Sequence, residues 1–124
     1  VCPSRDYDDT IDAIRLAVEE FGKSRVASNI IIGLGESDEE ICVALEMLAN
    51  IGSIGNLRAI RINDRNRERL SKALGKIPEV GCDRLLRLCR LQKEILRKHG
   101  LSPETFRTMC FPCGCCDIVP GIDC

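Results

Sequence analysis

Apolar positions along the chain change their spacing several times, and each change predicts an element. Between residues 9 and 21, Ile11, Ile14, Val18 and Phe21 recur at the three- and four-residue intervals that line one helix face. Asp8, Asp9 and Thr10 are the candidate N-caps and Gly22 the stop. Val26 to Ile32 reads as a strand, and the run Ile30-Ile31-Ile32 suits one buried on both faces, as in a parallel sheet. Ser37, with Glu40 three residues on, makes a capping box. The helix it opens presents Ile41, Ala44, Leu45 and Leu48 on one face and ends near Gly52. Leu57 to Ile62 predicts a second strand. A short charged helix is expected over 65–73, closed by Gly75, and a longer one from Asp83 to Lys98. Ser102-Pro103 sets a cap and a first helical position for one more short helix through Met109. Cys116 to Val119 is a candidate final strand.

The order of helix, strand, helix, strand, helices, strand predicts an α/β fold with parallel pairing. Two or three strands can neither close a barrel nor shield both edges of a sheet, so the chain is expected to be part of something larger. It opens Val1-Cys2-Pro3 without a methionine, which suggests a processed or truncated product. The 124 residues amount to one domain, and an ordinary apolar share of 44% with mixed charges argues against disorder. A net charge of -1 exerts no global pull toward nucleic acid or an acidic membrane. No run of apolar residues is long enough to span a bilayer, and no signal-peptide pattern occurs, so a cytoplasmic location is expected.

Cysteine usage departs from this ordinary picture. Nine cysteines stand against three phenylalanines, one tyrosine and no tryptophan, and an odd count forbids a complete intramolecular disulfide set. Amphipathic helices do not resemble a loop-rich secreted scaffold, so the cluster Cys110, Cys113, Cys115, Cys116, followed by Cys124, points to metal binding or thiol chemistry. Cys110-Phe111-Pro112-Cys113 is a Cys-x2-Cys knuckle, the local arrangement by which two thiolates grip one metal. Cys115 or Cys116 with Cys124 completes four sulfur ligands, which suit an iron–sulfur cluster or zinc. Two plainer readings stand beside it: small buried residues, since free cysteine packs as a small hydrophobe, and disulfide chemistry. Cys42, Cys82 and Cys89 fall at helical positions near apolar neighbours and read as core.

The other candidate site is Asn29-Ile30-Ile31-Ile32-Gly33-Leu34-Gly35-Glu36, a strand running into a glycine turn and a capped helix. Glycines at a strand's carboxyl end let a ligand approach the backbone, and the following helix aims free N–H groups at the same point. A tight strand-to-helix turn would use the same glycines for their dihedrals alone. On the helix over 83–98, Arg84, Arg87, Arg90, Lys93, Arg97 and Lys98 form a basic face opposite Leu85, Leu88, Cys89, Gln92, Ile95 and Leu96. It reads as a solvated outer face, with docking of an acidic partner or a phosphate-rich substrate as the alternative. No aromatic residues interleave with the cations, so nucleic-acid stacking is poorly supported.

Asn29 to Glu36 resembles the Gly-x-Ile-x-Gly-x-x-Glu segment of radical S-adenosylmethionine enzymes, on the fifth strand of their barrel, in the style of biotin synthase and lipoyl synthase. Ile31, Gly33 and Glu36 match, and Asn29 replaces the first glycine. Ile60-Arg61-Ile62-Asn63 is similar to their sixth strand, and Cys115 to Gly121 to their last. The resemblance implies the carboxyl-terminal portion of a partial (β/α) TIM-like barrel over residues 1–109, with a cysteine-rich tail over 110–124 that includes the last strand. It implies S-adenosylmethionine as cofactor, with Ile31 on the adenine, Gly33 and Glu36 shaping the turn and Asn63 beside the nucleoside. It also implies an auxiliary iron–sulfur cluster at Cys110, Cys113, Cys115, Cys116 and Cys124. The family's Cys-x3-Cys-x2-Cys motif is absent from this chain and would lie upstream, so the chain alone is expected to be inactive. Its partner would be the missing amino-terminal half of the barrel or a second copy, and its substrate a small molecule or protein. The rivals are a non-catalytic metal- or cluster-binding scaffold and a thiol–disulfide protein.

Overall fold

The computed structural model describes residues 6–76, 79–105, 118–120 and 123–124. Helix α1 spans Tyr7–Phe21, and its cap is Asp6, whose side chain accepts the Tyr7 N–H. Asp8, Asp9 and Thr10 thus fall inside the first turns, where the two aspartates favour the helix dipole instead of capping it. Strand β1 is Ala27–Ile32. Helix α2 spans Asp38–Ile51 behind the expected capping box: Ser37 Oγ accepts the Glu40 N–H and the Glu40 carboxylate accepts the Ser37 N–H.

The second strand, β2, is Ile54–Ala59, three residues earlier than the periodicity suggested. Gly55 and Asn56 lie before the expected strand, yet both are buried in the observed one. Packing explains the glycine. A Cβ at Gly55 would lie 2.7 Å from Leu45 Cδ2 and 3.2 Å from Ile30 Cδ1, so α2 seats against the sheet only because nothing projects there. Ile60 still donates its N–H to Ile32 O, after which the chain leaves the sheet. Helix α3 is Arg67–Leu74 and α4 is Cys82–Lys98. The helix expected through Met109 is a single 3-10 turn at Pro103–Thr105, and residues 106–109 lie outside the described residues. Ile118 and Val119 are not in a strand, and Cys116 and Asp117 lie outside the described residues.

Among the described residues, then, four α-helices accompany a two-stranded parallel sheet, an α/β arrangement with β1-α2-β2 as its unit. Pairing runs from Ala27 with Ile54 to Ile32 with Ala59. Partners in a parallel ladder share a face. The face of Ser28, Gly55, Ile30, Leu57 and Ile32 meets α2, whose Ile41, Leu45, Leu48 and Ala49 are buried. Each large side chain so buried contributes about 1.5–3 kcal/mol. On β1 the opposite face is open: Ala27, Asn29 and Ile31 are exposed. The isoleucine run is therefore buried on one side only, with Ile32 fully enclosed and Ile31 48% exposed.

The two sheet edges differ. Val26 O and Ile32 O accept from β2, so the even-numbered residues of β1 turn their main-chain groups inward to the ladder. Ala27, Asn29 and Ile31 turn theirs to the other edge. On β2, by contrast, Ile54 to Leu57 are all buried, and Gln92 of α4 donates its amide N–H to Gly55 O.

Candidate functional site at the carboxyl end of the strands

Ile32, without exposure, anchors the last residue of β1, and the chain then turns through Gly33 and Gly35, whose φ angles are 107° and 110°. Only glycine adopts such angles without strain. The turn is closed by its own acid. Glu36 Oε1 accepts the Gly33 N–H and Oε2 the Leu34 N–H, each at 2.7 Å. These are the backbone donors that an anionic ligand would otherwise use.

Arg84, in the first turns of α4, fixes this arrangement from 48 residues away in sequence. Its Nη1 meets Glu36 Oε1 at 3.2 Å, Nη2 donates to Glu36 O at 2.9 Å, and Nε donates to Asp38 Oδ1 at 2.7 Å. Arg87 holds the other oxygen of Asp38 at 2.7 Å. Burial raises the Glu36 pKa, but the N–H donors of Gly33, Glu36 and Leu34, with Arg84, outweigh it and leave the carboxyl below its ordinary value. Hydrogen bonds from Arg84 and then Arg87 lower Asp38 likewise, and Arg84 is held more firmly protonated by Asp38. All three groups are ionised at neutral pH. Beside them opens a cleft of about 380 Å³, lined by Gly33, Gly35, Glu36, Leu74, Lys76, Glu79 and Arg84. Two acids and two bases line it, and of these Glu36 and Arg84 are paired with each other. No protein-family model, no curated protein and no solved structure matches this chain.

The predicted cofactor residues fall in three places. Asn29 and Ile31 lie on the open sheet face, with Asn56 Nδ2 donating to Asn29 Oδ1 at 3.0 Å. Gly33 and Glu36 build the turn. Asn63 has left the strand, and its side-chain oxygen accepts the N–H groups of Arg65 and Asn66 in the turn before α3. That oxygen is engaged locally.

Of the predicted metal ligands, Cys110, Cys113, Cys115 and Cys116 lie outside the described residues. Cys124 is joined by a disulfide to Cys89, and in that state its sulfur is no thiolate ligand. Cys89 therefore does more than pack, although it is fully buried as expected. Cys82 is exposed at the start of α4, where a core position was expected, and Cys42 is half-buried with a pKa raised by burial and by Asp38, Glu39 and Glu46. Among the described residues no group of three or more His, Cys, Asp or Glu side chains could hold a metal ion, and no helix is long and apolar enough to cross a membrane.

Sequence reasoning missed Arg84, Asp38 and Gln92. In the sequence Arg84 belongs to a face that reads as solvated, and nothing local marks it out from Arg87 or Arg90. Gln92 carried a usable signal, as the one polar residue on the apolar face of α4.

Proposed function

We propose that this chain is the carboxyl-terminal part of a radical S-adenosylmethionine, iron–sulfur enzyme of the biotin-synthase-like branch. In this reading it belongs to a partial (β/α) barrel and supplies part of the cofactor pocket. The observation that carries it is the open face of β1, where Ile31 is 48% exposed beside Asn29 at the carboxyl end of a parallel strand. An isoleucine left uncovered there fits an apolar purine ring, since parallel strands normally bury such residues.

Residues fit the cofactor unequally. Ile31 and Asn29 would meet the nucleoside, while Gly33 and Glu36 keep the strand end low enough for it to enter. Asn63 would contribute its position more than its oxygen. When bound, S-adenosylmethionine supplies the radical precursor, and this chain's own share is to orient its nucleoside and exclude water from it. The tail cysteines would hold an auxiliary cluster or zinc. Cys124 could join them only after its disulfide is reduced.

Equilibrium dialysis of the full chain against labelled S-adenosylmethionine tests the reading. Saturable binding is expected, with at least a tenfold loss in Ile31→Asp, which puts a charge where the ring would rest. Absence of saturable binding would overturn it, and iron or zinc uptake without such binding would favour a metal-binding scaffold.

A further inference from the structure

We propose that the Cys89–Cys124 disulfide is a thiol-exchange site: a dithiol reductant opens it and thereby releases Val119, Pro120 and Cys124 from α4. The inference is independent of the cofactor reading above.

The attachments around the bond are few. Val119 has no exposure and joins the core beside Leu88, Leu96 and Leu101, and Pro120 is equally buried. Val119 and Asp123 close a small loop on each other: the Val119 N–H donates to Asp123 Oδ2 at 2.6 Å, and the Asp123 N–H to Val119 O at 2.9 Å. Apart from apolar burial, the link back to α4 among the described residues is Lys93 Nζ on Cys124 O at 2.8 Å, an exposed contact that solvent weakens. The covalent bond is the strongest tie between the two.

Its two sulfurs are unequal. Cys89 is wholly enclosed in α4, whereas Cys124 is half-buried and can be approached from solvent. Lys93, against the Cys124 carbonyl, brings a cation to that side and favours an incoming thiolate. The first thiolate of the reductant attacks Cys124 Sγ, the S–S bond breaks, and Cys89 leaves with the electron pair and takes a proton. The second thiolate of the reductant then closes on the mixed disulfide and expels Cys124, which is protonated in turn. Two electrons and two protons pass to the protein, and the reductant ends as a cyclic disulfide.

With the bond open, the described residues hold Val119 and Pro120 against α4 by apolar burial and the exposed Lys93 contact with Cys124 O. Beside them a cleft of about 220 Å³, lined among others by Lys93, Leu96, Leu101, Pro103 and Pro120, opens as they leave. The reduced state thus exposes an apolar strip of α4 and a free Cys124 thiol together.

The test compares the air-oxidised full chain with the same chain in dithiothreitol. Peptide mapping of the oxidised form should recover a Cys89–Cys124 cross-link, and reduction should make both sulfurs alkylatable, Cys124 faster than the buried Cys89. Amide hydrogen exchange at Val119 should accelerate at least tenfold on reduction while β1 and β2 exchange as before. Cys124 found bonded to another cysteine, or unchanged exchange at Val119, overturns the proposal. So does acceleration throughout the sheet, which would make the disulfide a staple of the whole fold. A Cys124→Ser chain, which leaves the buried Cys89 in place, should exchange at Val119 like the reduced wild type, and protection equal to the oxidised form would also refute the idea.

Discussion

Replacing Arg84 by methionine keeps the apolar stem and removes the guanidinium that joins α4 to the strand-end turn. Three hydrogen bonds go with it, two to carboxylates and one to the Glu36 carbonyl. Bonds to charged groups contribute about 1.5–3 kcal/mol each. The loss is smaller than three such terms, because Glu36 keeps the Gly33 and Leu34 donors and Asp38 keeps Arg87. The side chains of Arg84, Glu36 and Asp38 retain 24%, 16% and 26% exposure, so water compensates in part. We expect a destabilisation of about 2–3 kcal/mol. With an unfolding entropy of about 2.1 cal/mol/K per residue, each kcal/mol lowers Tm of a chain this size by about 4 °C, a drop of about 8–12 °C in all.

The pH dependence sharpens the test. Both carboxyls have folded-state pKa values below their ordinary 4.5 and 3.8, so their contribution is fully present above those values. It is lost as pH falls through the folded-state values, where the carboxylates take up protons. Urea denaturation followed by circular dichroism, at neutral pH and in acid, measures both effects. The difference between wild type and Arg84→Met should shrink in acid. A difference under about 0.5 kcal/mol at neutral pH, or one that acid leaves unchanged, would refute the account.

Gly55→Ala should cost about 1–3 kcal/mol by overpacking, since its Cβ would meet Leu45 Cδ2 at 2.7 Å, and Leu45→Ala in the same chain should recover part of that loss. Anaerobic reconstitution with iron and sulfide, followed by a product assay, should yield no reductant-dependent 5′-deoxyadenosine from this chain, which lacks Cys-x3-Cys-x2-Cys; any such product contradicts the expectation. Ile31→Lys places a charge on the uncovered edge strand and should lower the apparent mass in light scattering at high concentration. A wild type that scatters as a monomer throughout removes the basis for that expectation.

The parts of this fold that were legible are those whose cause is local. Ser37 and Glu40 announce α2 because a capping box is a contact between neighbours, and both of its hydrogen bonds form. Helix α4 was legible from its periodicity to within one residue at its start. The strands were harder. β2 begins at Ile54 because α2 needs a residue without a side chain at Gly55, a requirement set by Leu45 and Leu48 ten and seven residues upstream. Three isoleucines in a row do not say which face is covered, and β1 covers one. At the candidate site, Gly33 and Glu36 were visible because they share a turn. Arg84 was not, since its partners are far away in sequence and its neighbours on α4 look the same. Asn63 was placed by likeness on a strand, but its side chain closes the turn before α3.

Gln92, closing on Gly55 O, engages the edge of β2 that faces away from β1. It is an expensive device, because the Gln92 carbonyl oxygen is left buried without a hydrogen bond. An added strand on that flank would have to displace Gln92 and break its bond to Gly55 O. On the other flank Ala27, Asn29 and Ile31 are exposed. A single buried amide on α4 thus makes the two flanks of the sheet unequal.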